Sequence, residues 1–282
     1  MHLPRLALVA LLAIGQPVLA ETAAPNPAVE VSVDRVTEVM RLGELFVVLR
    51  EEGLAYGDSL EEDMFPSGGG ADWRAEVSDI YDAARLQAAF SKALAERLKD
   101  RPDAVADIIA FFETDLGKRV VELEIEARRA FLDTAAEEAA RVAAEDAAAA
   151  RDPKVALVRR MIEAGDLLEM NVAGALSGSL AFMTGMAESG AYGGMPQDQL
   201  LADIWGQEEQ IRADSSSWLN AYLGLAYAPL SEAELESYVA FWESAAGQEL
   251  NAALFAAFDE VFRPVSLDLG RAAGRAMLGR DI

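Results

Sequence analysis

The sequence predicts an all-α fold, a helical bundle built from two similar multi-helix repeats with no sheet. The 282-residue chain is 52% hydrophobic but only 7% aromatic, and it is rich in Ala, Leu and Glu, which favour helix over strand. Apolar residues recur at the three- and four-residue spacing of a helix face, and no segment alternates as a half-buried strand would. One order of helices and breaks also occurs twice along the chain.

The first predicted helices are separated by glycine-rich breaks. Apolar residues at helical spacing over 33–52 predict a helix that ends at Gly53, because glycine favours helix ends. The segment 64–70 contains three consecutive glycines and a proline, which predicts a loop. A single long helix is then expected from Asp72 to near Lys99.

The following stretch contains a helix, an interruption and a second, longer helix. Asp103 follows a proline and opens the first of these helices, and the segment 114–117 interrupts it with a capping residue and a glycine. One continuous helix is expected from Lys118 to about Ala150. Pro153 then gives the clearest boundary in the chain, since the residue before a proline disfavours helix.

After this boundary the same kinds of signal appear again. A second glycine-rich loop at 189–196 precedes a helix expected over 197–227. Ser231 and Glu234 have the spacing of a capping box and predict the start of another helix. Pro264 is expected to begin a last short helix.

A short motif supports the prediction of two repeats, 33–152 and 153–282. The segment 110–118 aligns with 240–248, with identical Phe, Glu and Gly residues and similar residues between them. We expect the hydroxyl residue of each copy to cap the next helix and the aromatic pairs to occupy equivalent buried positions. Chance similarity in an alanine-rich chain is the alternative. The motif residues, whose role the sequence leaves open, are Phe111, Phe112, Glu113, Thr114 and Gly117 in the first copy and Phe241, Trp242, Glu243, Ser244 and Gly247 in the second.

The second copy of this motif resembles a bacterial family catalogued as domain of unknown function 2059. The resemblance is best over 230–262, where an acidic helix start is followed by Phe241, an aromatic residue and the Ser244 to Gly247 turn. It is weaker over 103–131, and Ala245 stands where that family often has proline. The resemblance implies an exported helical domain, and it implies no activity, substrate or catalytic residue.

The chemical inventory excludes several classes of enzyme. The only histidine is His2, which lies in a predicted signal peptide over residues 1–20, and the chain has no cysteine. The expected mature chain therefore has no Ser-His-Asp or Cys-His catalysis, no histidine-ligated metal and no disulfide. We predict no cofactor and no metal site. The formal net charge of −24 argues against nucleic acid and anionic lipid surfaces as partners.

Carboxylates are the remaining candidates for chemistry. Glu113 and Glu243 follow bulky aromatic residues, so each is either a partly buried acid with a raised pKa or a carboxylate that accepts from N–H groups at the next helix start. Two acidic clusters could bind calcium, but solvated faces with ion pairs are favoured for both. These clusters are Glu61, Glu62 and Asp63, and Glu122, Glu124 and Glu126 with Arg128 and Arg129.

One further set of residues could serve binding. The aromatic residues of the second half are expected in the core, with an apolar pocket as the alternative; these are Trp205, Trp218, Tyr222 and Tyr227. The leading functional prediction is a non-enzymatic binding module for an unknown protein, peptide or envelope component. The alternatives are a carboxylate-dependent, glycosidase-like hydrolase, which needs two acidic side chains, and weak divalent-cation binding. The oligomeric state is not predicted.

The N-terminus predicts export to the periplasm or beyond. A charged start is followed by an apolar run over 6–14 and by Val18 and Ala20 at the positions that signal peptidase recognises. We expect cleavage after Ala20, an extended leader over 21–32 and no integral membrane segment in the mature chain. An uncleaved anchor is the alternative. N-terminal sequencing of periplasmic protein should read Glu21 first, and an intact Met1 would contradict the predicted localisation.

Overall fold

The computed structural model describes residues 27–65, 69–191 and 197–279. The regular structure of these residues is helical, without a strand, so the predicted all-α fold is confirmed. The helices are α1 (Pro27–Val39), α2 (Leu42–Met64), α3 (Gly70–Ile80), α4 (Ala83–Leu98), α5 (Pro102–Phe112), α6 (Asp115–Ala130), α7 (Thr134–Ala150), α8 (Pro153–Ala164), α9 (Leu167–Ser189), α10 (Gln197–Trp205), α11 (Glu208–Tyr227), α12 (Glu232–Glu243) and α13 (Ala245–Met277).

Helix α13 lies at the centre of the bundle. It has 33 residues, most of them apolar and buried, and it packs against α9 over the greatest length and also against α4, α5 and α12. Buried side chains from both sides of the 152/153 boundary form one continuous hydrophobic core. The boundary at Pro153 is a helix start, capped by Asp152, and it does not separate two cores.

Three helices expected to be continuous are divided: the one expected over 197–227 breaks at Gly206 and Gln207, and the other two are each divided by an aspartate. The Asp82 carboxylate accepts from the backbone N–H of Arg85 at 2.7 Å and begins α4, so the helix expected from Asp72 to Lys99 is wrong. The Asp133 carboxylate accepts from the N–H of Ala135 at 2.9 Å and begins α7. The helix expected from Lys118 to Ala150 is likewise two helices, because an aspartate that caps a new helix competes with continuation of the old one.

Gly53 and Pro264 do not mark helix ends. Helix α2 continues through Gly53, and the break lies earlier, at Arg41, whose φ of 51° ends the turn between α1 and α2. A Cβ atom at Gly53 would lie 2.2 Å from the Tyr81 ring, so glycine serves close packing there. Pro264 lies inside α13, which continues to Met277.

The N-terminal predictions are only partly within the described residues. Helix α1 begins at Pro27, so the latter part of the extended leader expected over 21–32 is helical instead. The signal peptide over 1–20 and the centres of both glycine-rich loops, 66–68 and 192–196, lie outside the described residues. Within those residues, no helix combines the length and apolar character needed to cross a bilayer.

The two motif copies form helix junctions of the same design. Thr114 Oγ1 accepts from the N–H of Gly117 at 2.9 Å, and Ser244 Oγ accepts from the N–H of Gly247 at 3.1 Å. Both expected caps are therefore confirmed. A Cβ atom on Gly117 would lie 2.3 Å from the carbonyl oxygen of Phe111, and the equivalent distance from Gly247 is 2.1 Å. Each glycine thus lets a helix begin directly against the backbone of the helix before it.

The aromatic residues of the two copies meet each other. The rings of Phe111 and Phe241 stack with centroids 4.1 Å apart and planes 13° apart. Phe241 and Phe112 are buried, whereas Phe111 and Trp242 are half-buried. The matching residues of the two copies therefore occupy similar places in the junctions but differ in burial. These pairs support the two repeats, which remain a prediction.

The Gly247 junction gives a test of this packing. We expect Gly247→Val to lower the free energy of unfolding by roughly 2–3 kcal/mol, because the added atoms overlap the carbonyl group of Phe241. Gly174→Ala is the control: no atom lies within 4 Å of its added Cβ in α9, so the substitution should stabilise the helix by about 0.5–1 kcal/mol. Denaturant unfolding measures both values. Equal stability of the two variants would contradict the proposed packing.

Candidate functional site: a cavity between the two halves

A cavity of about 130 Å³ lies where α6, α11, α12 and α13 meet the first turns of α2 and α9. A cavity of this volume has room for a molecule of roughly the size of benzene. Its wall is mainly apolar and comes from both halves of the chain; examples are Leu42, Leu45, Val121, Leu167, Leu254 and Phe258. Such a mainly apolar cavity with a few polar groups is typical of small-molecule sites.

Among the residues that the structure describes, Glu124 is the only carboxylic acid in the wall of this cavity. Its Oε1 accepts hydrogen bonds from the hydroxyl groups of Tyr227 and Tyr238, each at 2.7 Å. The hydroxyl group of Tyr222 donates to the Glu124 backbone carbonyl oxygen at 2.9 Å. No side chain donates to Oε2 within the part of the chain that the structure describes. Two tyrosines therefore hold this carboxyl group in place, a third holds the backbone beside it, and one carboxyl oxygen is left available.

Burial governs the charge of this group. Removal from water raises the pKa of Glu124, and the hydrogen bonds from Tyr238 and Tyr227 offset this only in part. Burial also raises the pKa values of these two tyrosines, and the nearby carboxylate adds to the effect, so both remain neutral donors. The site is thus a single titratable carboxyl group fixed by neutral donors.

Arg128 also reaches the cavity, but its charge is compensated. Its Nε donates to Glu52 Oε1 at 2.7 Å and its Nη2 to Glu52 Oε2 at 2.8 Å, which is the paired geometry of a strong guanidinium–carboxylate contact. Burial opposes the positive charge, yet the Glu52 carboxylate outweighs it and the pKa of Arg128 is raised. The Arg128–Glu52 pair is neutral as a whole, so Glu124 remains the uncompensated charge of the wall.

Asn251 also lines the cavity. The side chain is buried, and its Nδ2 donates to the carbonyl oxygen of Gly165 at 3.0 Å. Its Oδ1 is buried without a hydrogen-bond partner, which is uncommon because such a group has lost its contact with water. Because Asn251 Oδ1 is closed off even from water, Glu124 Oε2 is the acceptor that a ligand in the cavity could reach.

The motif repeat relates residues of two helices that line the cavity. Shifting the sequence by the distance from Gly117 to Gly247 places Glu124 over Leu254 and Arg128 over Phe258, and all four residues line the cavity. At these positions helix α6 supplies charged side chains and α13 supplies apolar ones. The wall therefore combines charged and apolar side chains, which suits a ligand with two unlike ends.

The motif glutamates lie elsewhere, at the surface. Arg35 donates to Glu113 Oε1 from Nη2 at 2.6 Å, and Arg160 donates to both oxygens of Glu243, at 2.6 and 2.8 Å. Neither glutamate accepts from an N–H group at the next helix start, where Thr114 and Ser244 are the caps. Hydrogen bonding to Arg160 lowers the pKa of Glu243, opposite to the raised pKa of a general acid. Both expected roles of these glutamates are therefore unsupported.

The structure brings some of the predicted aromatic residues to the cavity. Trp242 of the motif lines it, as do Tyr222 and Tyr227, while Trp218 stacks on Tyr222 with ring centroids 4.7 Å apart. Trp205 is 60% exposed and belongs neither to the core nor to the cavity. Tyr222 and Tyr227 thus line a pocket, which was the alternative prediction, whereas Trp218 lies in the core as expected.

The acidic clusters do not converge. Glu122 and Glu126 are exposed on α6, whereas Glu124 faces the cavity on the opposite side of the helix. Glu61 accepts from the N–H of Gly70 at 2.5 Å instead of pointing towards its neighbours. Within 27–65, 69–191 and 197–279, no three acidic residues are grouped to hold a metal ion.

Glu124 and Arg128 were expected on a solvated face, and this is wrong. Both lie on the face of α6 that also carries Val121 and Ile125, because residues three, four and seven positions apart share one side of a helix. That spacing is visible in the sequence and was the signal for burial. The burial of Glu124 and Arg128 was missed because both residues are charged, whereas buried positions of a helix usually carry apolar residues.

The comparisons with known proteins identify a family without an assigned activity. A family model described as "Uncharacterized protein conserved in bacteria (DUF2059)" matches residues 84–146, from α4 to most of α7. The resemblance expected from the motif is thus confirmed, and the matched segment contains 103–131, the copy in which the motif is weaker. The better-resembling stretch, 230–262, is outside this match. No curated protein matched the chain, and no solved structure did.

The raised pKa of Glu124 gives a pH prediction. A carboxyl group whose pKa is higher in the folded state contributes stability that is complete at low pH and is lost as pH rises through the folded pKa. Glu124→Gln removes this titration but keeps an oxygen that can accept from the tyrosines. We expect the melting temperature of Glu124→Gln to rise relative to the unmodified protein as pH increases from mildly acidic to neutral.

A surface glutamate provides the control for this experiment. The pKa of Glu243 is lowered by Arg160, so its contribution is present at neutral pH and lost as pH falls. Relative to the unmodified protein, Glu243→Gln should therefore keep a constant stability difference from mildly acidic to neutral pH, because the lowered pKa places the titration of Glu243 below this range. Scanning calorimetry across this pH range gives both trends, and a flat difference for Glu124→Gln would show that Glu124 is not held in a desolvated state.

Proposed function

We propose that this chain is an exported, non-enzymatic binding module and that a small molecule of the cell envelope occupies the cavity between its halves. The observation that carries the proposal is Glu124, a carboxyl group held by Tyr227 and Tyr238 inside a mainly apolar cavity. Burial of such a group costs several kcal/mol unless it is compensated, on the order of magnitude known for buried charges. A fold selected for stability alone would favour an apolar side chain at this position.

The residues present favour binding over catalysis. The expected mature chain has neither histidine nor cysteine, so the common nucleophile–base pairs are absent from it. A glycosidase-like mechanism needs two carboxyl groups on either side of the scissile bond, and the described residues supply Glu124 alone to the wall of this cavity. Glu52, the other acid in this hydrogen-bond network, is bound by two nitrogens of Arg128.

The proposed location rests on the N-terminal pattern. An apolar run over 6–14, followed by Val18 and Ala20, is typical of a cleaved signal peptide. The excess of Asp and Glu, 48 against 24 Lys and Arg, disfavours nucleic acid as a ligand. An envelope component is therefore the class of partner that agrees with both the proposed export and the charge.

Filling the cavity tests the proposal. We expect purified protein incubated with the small-molecule fraction of the bacterial envelope to retain a ligand that mass spectrometry detects. Val121→Phe should abolish this retention, because Val121 lines the cavity and the larger ring occupies it. Val142→Phe, at a half-exposed position on α7, adds the same ring away from the cavity and should retain the ligand.

Circular dichroism must first show that both variants keep their helical structure. Equal retention by Val121→Phe and Val142→Phe would place binding outside the cavity and contradict the proposal. Absence of any retained molecule on the unmodified protein would contradict it as well.

A further inference from the structure

We propose that the cavity selects an amine: a small, mainly apolar molecule with a protonated amino group that contacts Glu124 and lies against the tyrosine rings. This inference rests on the proposed binding function and specifies its ligand class. It follows from the polarity of the wall and the charges at it.

The free oxygen of Glu124 at the cavity wall calls for a donor. Glu124 Oε2 accepts no hydrogen bond from a described residue. The tyrosine donors at the wall are already engaged, since Tyr227 and Tyr238 donate to Glu124 Oε1. A ligand that brings an N–H group would satisfy Glu124 Oε2, whereas a ligand with only acceptors would leave it unpaired, which is unfavourable.

The charge balance selects a cation among the possible donors. Arg128 and Glu52 neutralise each other, so an ionised Glu124 leaves the wall with one negative charge. An ammonium group would compensate this charge in mainly apolar surroundings, where opposite charges attract more strongly than in bulk water. A carboxylate ligand would instead meet Glu124 with a like charge, and the charge of Arg128 is already compensated by Glu52.

The aromatic side chains of the wall favour the same ligand. Tyr227 and Tyr238 are in edge contact, with ring centroids 5.7 Å apart, and Tyr238 lies 5.9 Å from Trp242. All three residues line the cavity beside Glu124. The faces of such rings attract cations, by about 0.5–2 kcal/mol in known cases. A carboxylate together with aromatic rings is thus a suitable receptor for an ammonium group.

The rest of the cavity limits the size and polarity of the ligand. The wall also includes Leu254 and Phe258, and most of its other residues are apolar, so the remainder of the ligand is apolar. A volume of about 130 Å³ is close to that of an engineered cavity, about 150 Å³, that accommodates benzene. Benzylamine, one ring with one ammonium group, is therefore an appropriate probe.

Three probes of nearly the same shape separate the possibilities. Benzylamine is a cation, benzyl alcohol is a neutral donor and benzoate is an anion, and calorimetric titration gives the affinity of each. We expect benzylamine to bind at least about tenfold more tightly than benzyl alcohol, because hydrogen bonds between charged groups are stronger by 1–2 kcal/mol, on the order of a factor of ten. Benzoate should not bind.

Two substitutions on one helix connect this preference with Glu124. Glu124→Gln should reduce the affinity for benzylamine to that for benzyl alcohol and leave the alcohol affinity nearly unchanged. Glu122→Gln removes the same charge from an exposed position on α6 and should leave the preference for the amine intact. Loss of the preference in both variants would attribute it to the overall negative charge of the protein and overturn the proposal.

The pH dependence gives a further readout. The groups that face Glu124 are Tyr222 and Tyr227 from α11, Tyr238 from α12 and, along α6, Arg128 with its partner Glu52 from α2. The tyrosines are neutral and the arginine is charged at neutral pH, so Glu124 is the group that changes charge. Benzylamine affinity should rise as pH increases from acidic to neutral, and benzyl alcohol affinity should not.

The outcomes separate this inference from the proposed function. Tighter binding of benzyl alcohol or benzoate than of benzylamine would overturn the cation preference. If any of the three probes binds and Val121→Phe abolishes this binding, the cavity would still be supported as a binding site. Absence of binding by all three probes would overturn the inference, and the envelope-extract experiment then decides the proposed function independently.

Discussion

The direct contact of a helix start with the backbone of the preceding helix sets the arrangement of the bundle. At Gly117 and at Gly247 the chain has no side chain, so α6 and α13 each begin against the carbonyl group that ends the helix before. Capping by Thr114 and Ser244 fixes the same turns. Since α6 and α13 both contribute to the wall of the cavity, these two junctions position part of its lining.

The two halves are joined at several further points. Phe111 stacks on Phe241 beside both junctions, and ion pairs cross between the halves nearby. Arg101 contacts Glu249 at 3.2 Å, and Arg119 contacts Glu234 at 2.7 Å. Exposed ion pairs of this kind contribute little to stability, about 0–1 kcal/mol each, so apolar packing in the common core carries most of the association. The cavity depends on this association because residues of both halves line it.

The buried charges of the site have different consequences for stability and for binding. Arg128 and Glu52 satisfy each other through two hydrogen bonds, so their burial needs no ligand. Glu124 is held by tyrosine hydroxyl groups but by no opposite charge, which makes its ionised form unfavourable and its environment receptive to a cation. A group that is poorly compensated in the free protein can become well compensated when a ligand binds. Such sites often serve recognition.

The sequence by itself determined the helical fold and the features that depend on a few neighbouring residues. The caps at Thr114, Ser244 and Ser231 could be predicted because a side-chain oxygen and an N–H group three residues later interact within one turn. Only the tertiary structure decided that Glu124 lies in a cavity, since its tyrosine partners are about a hundred residues away along the chain. The spacing of residues along α6 puts Glu124 on the same face as apolar residues. The cavity and the hydrogen-bond donors around Glu124, however, arise from packing between helices that are distant in the sequence. A single sequence contains no local signal for such long-range contacts.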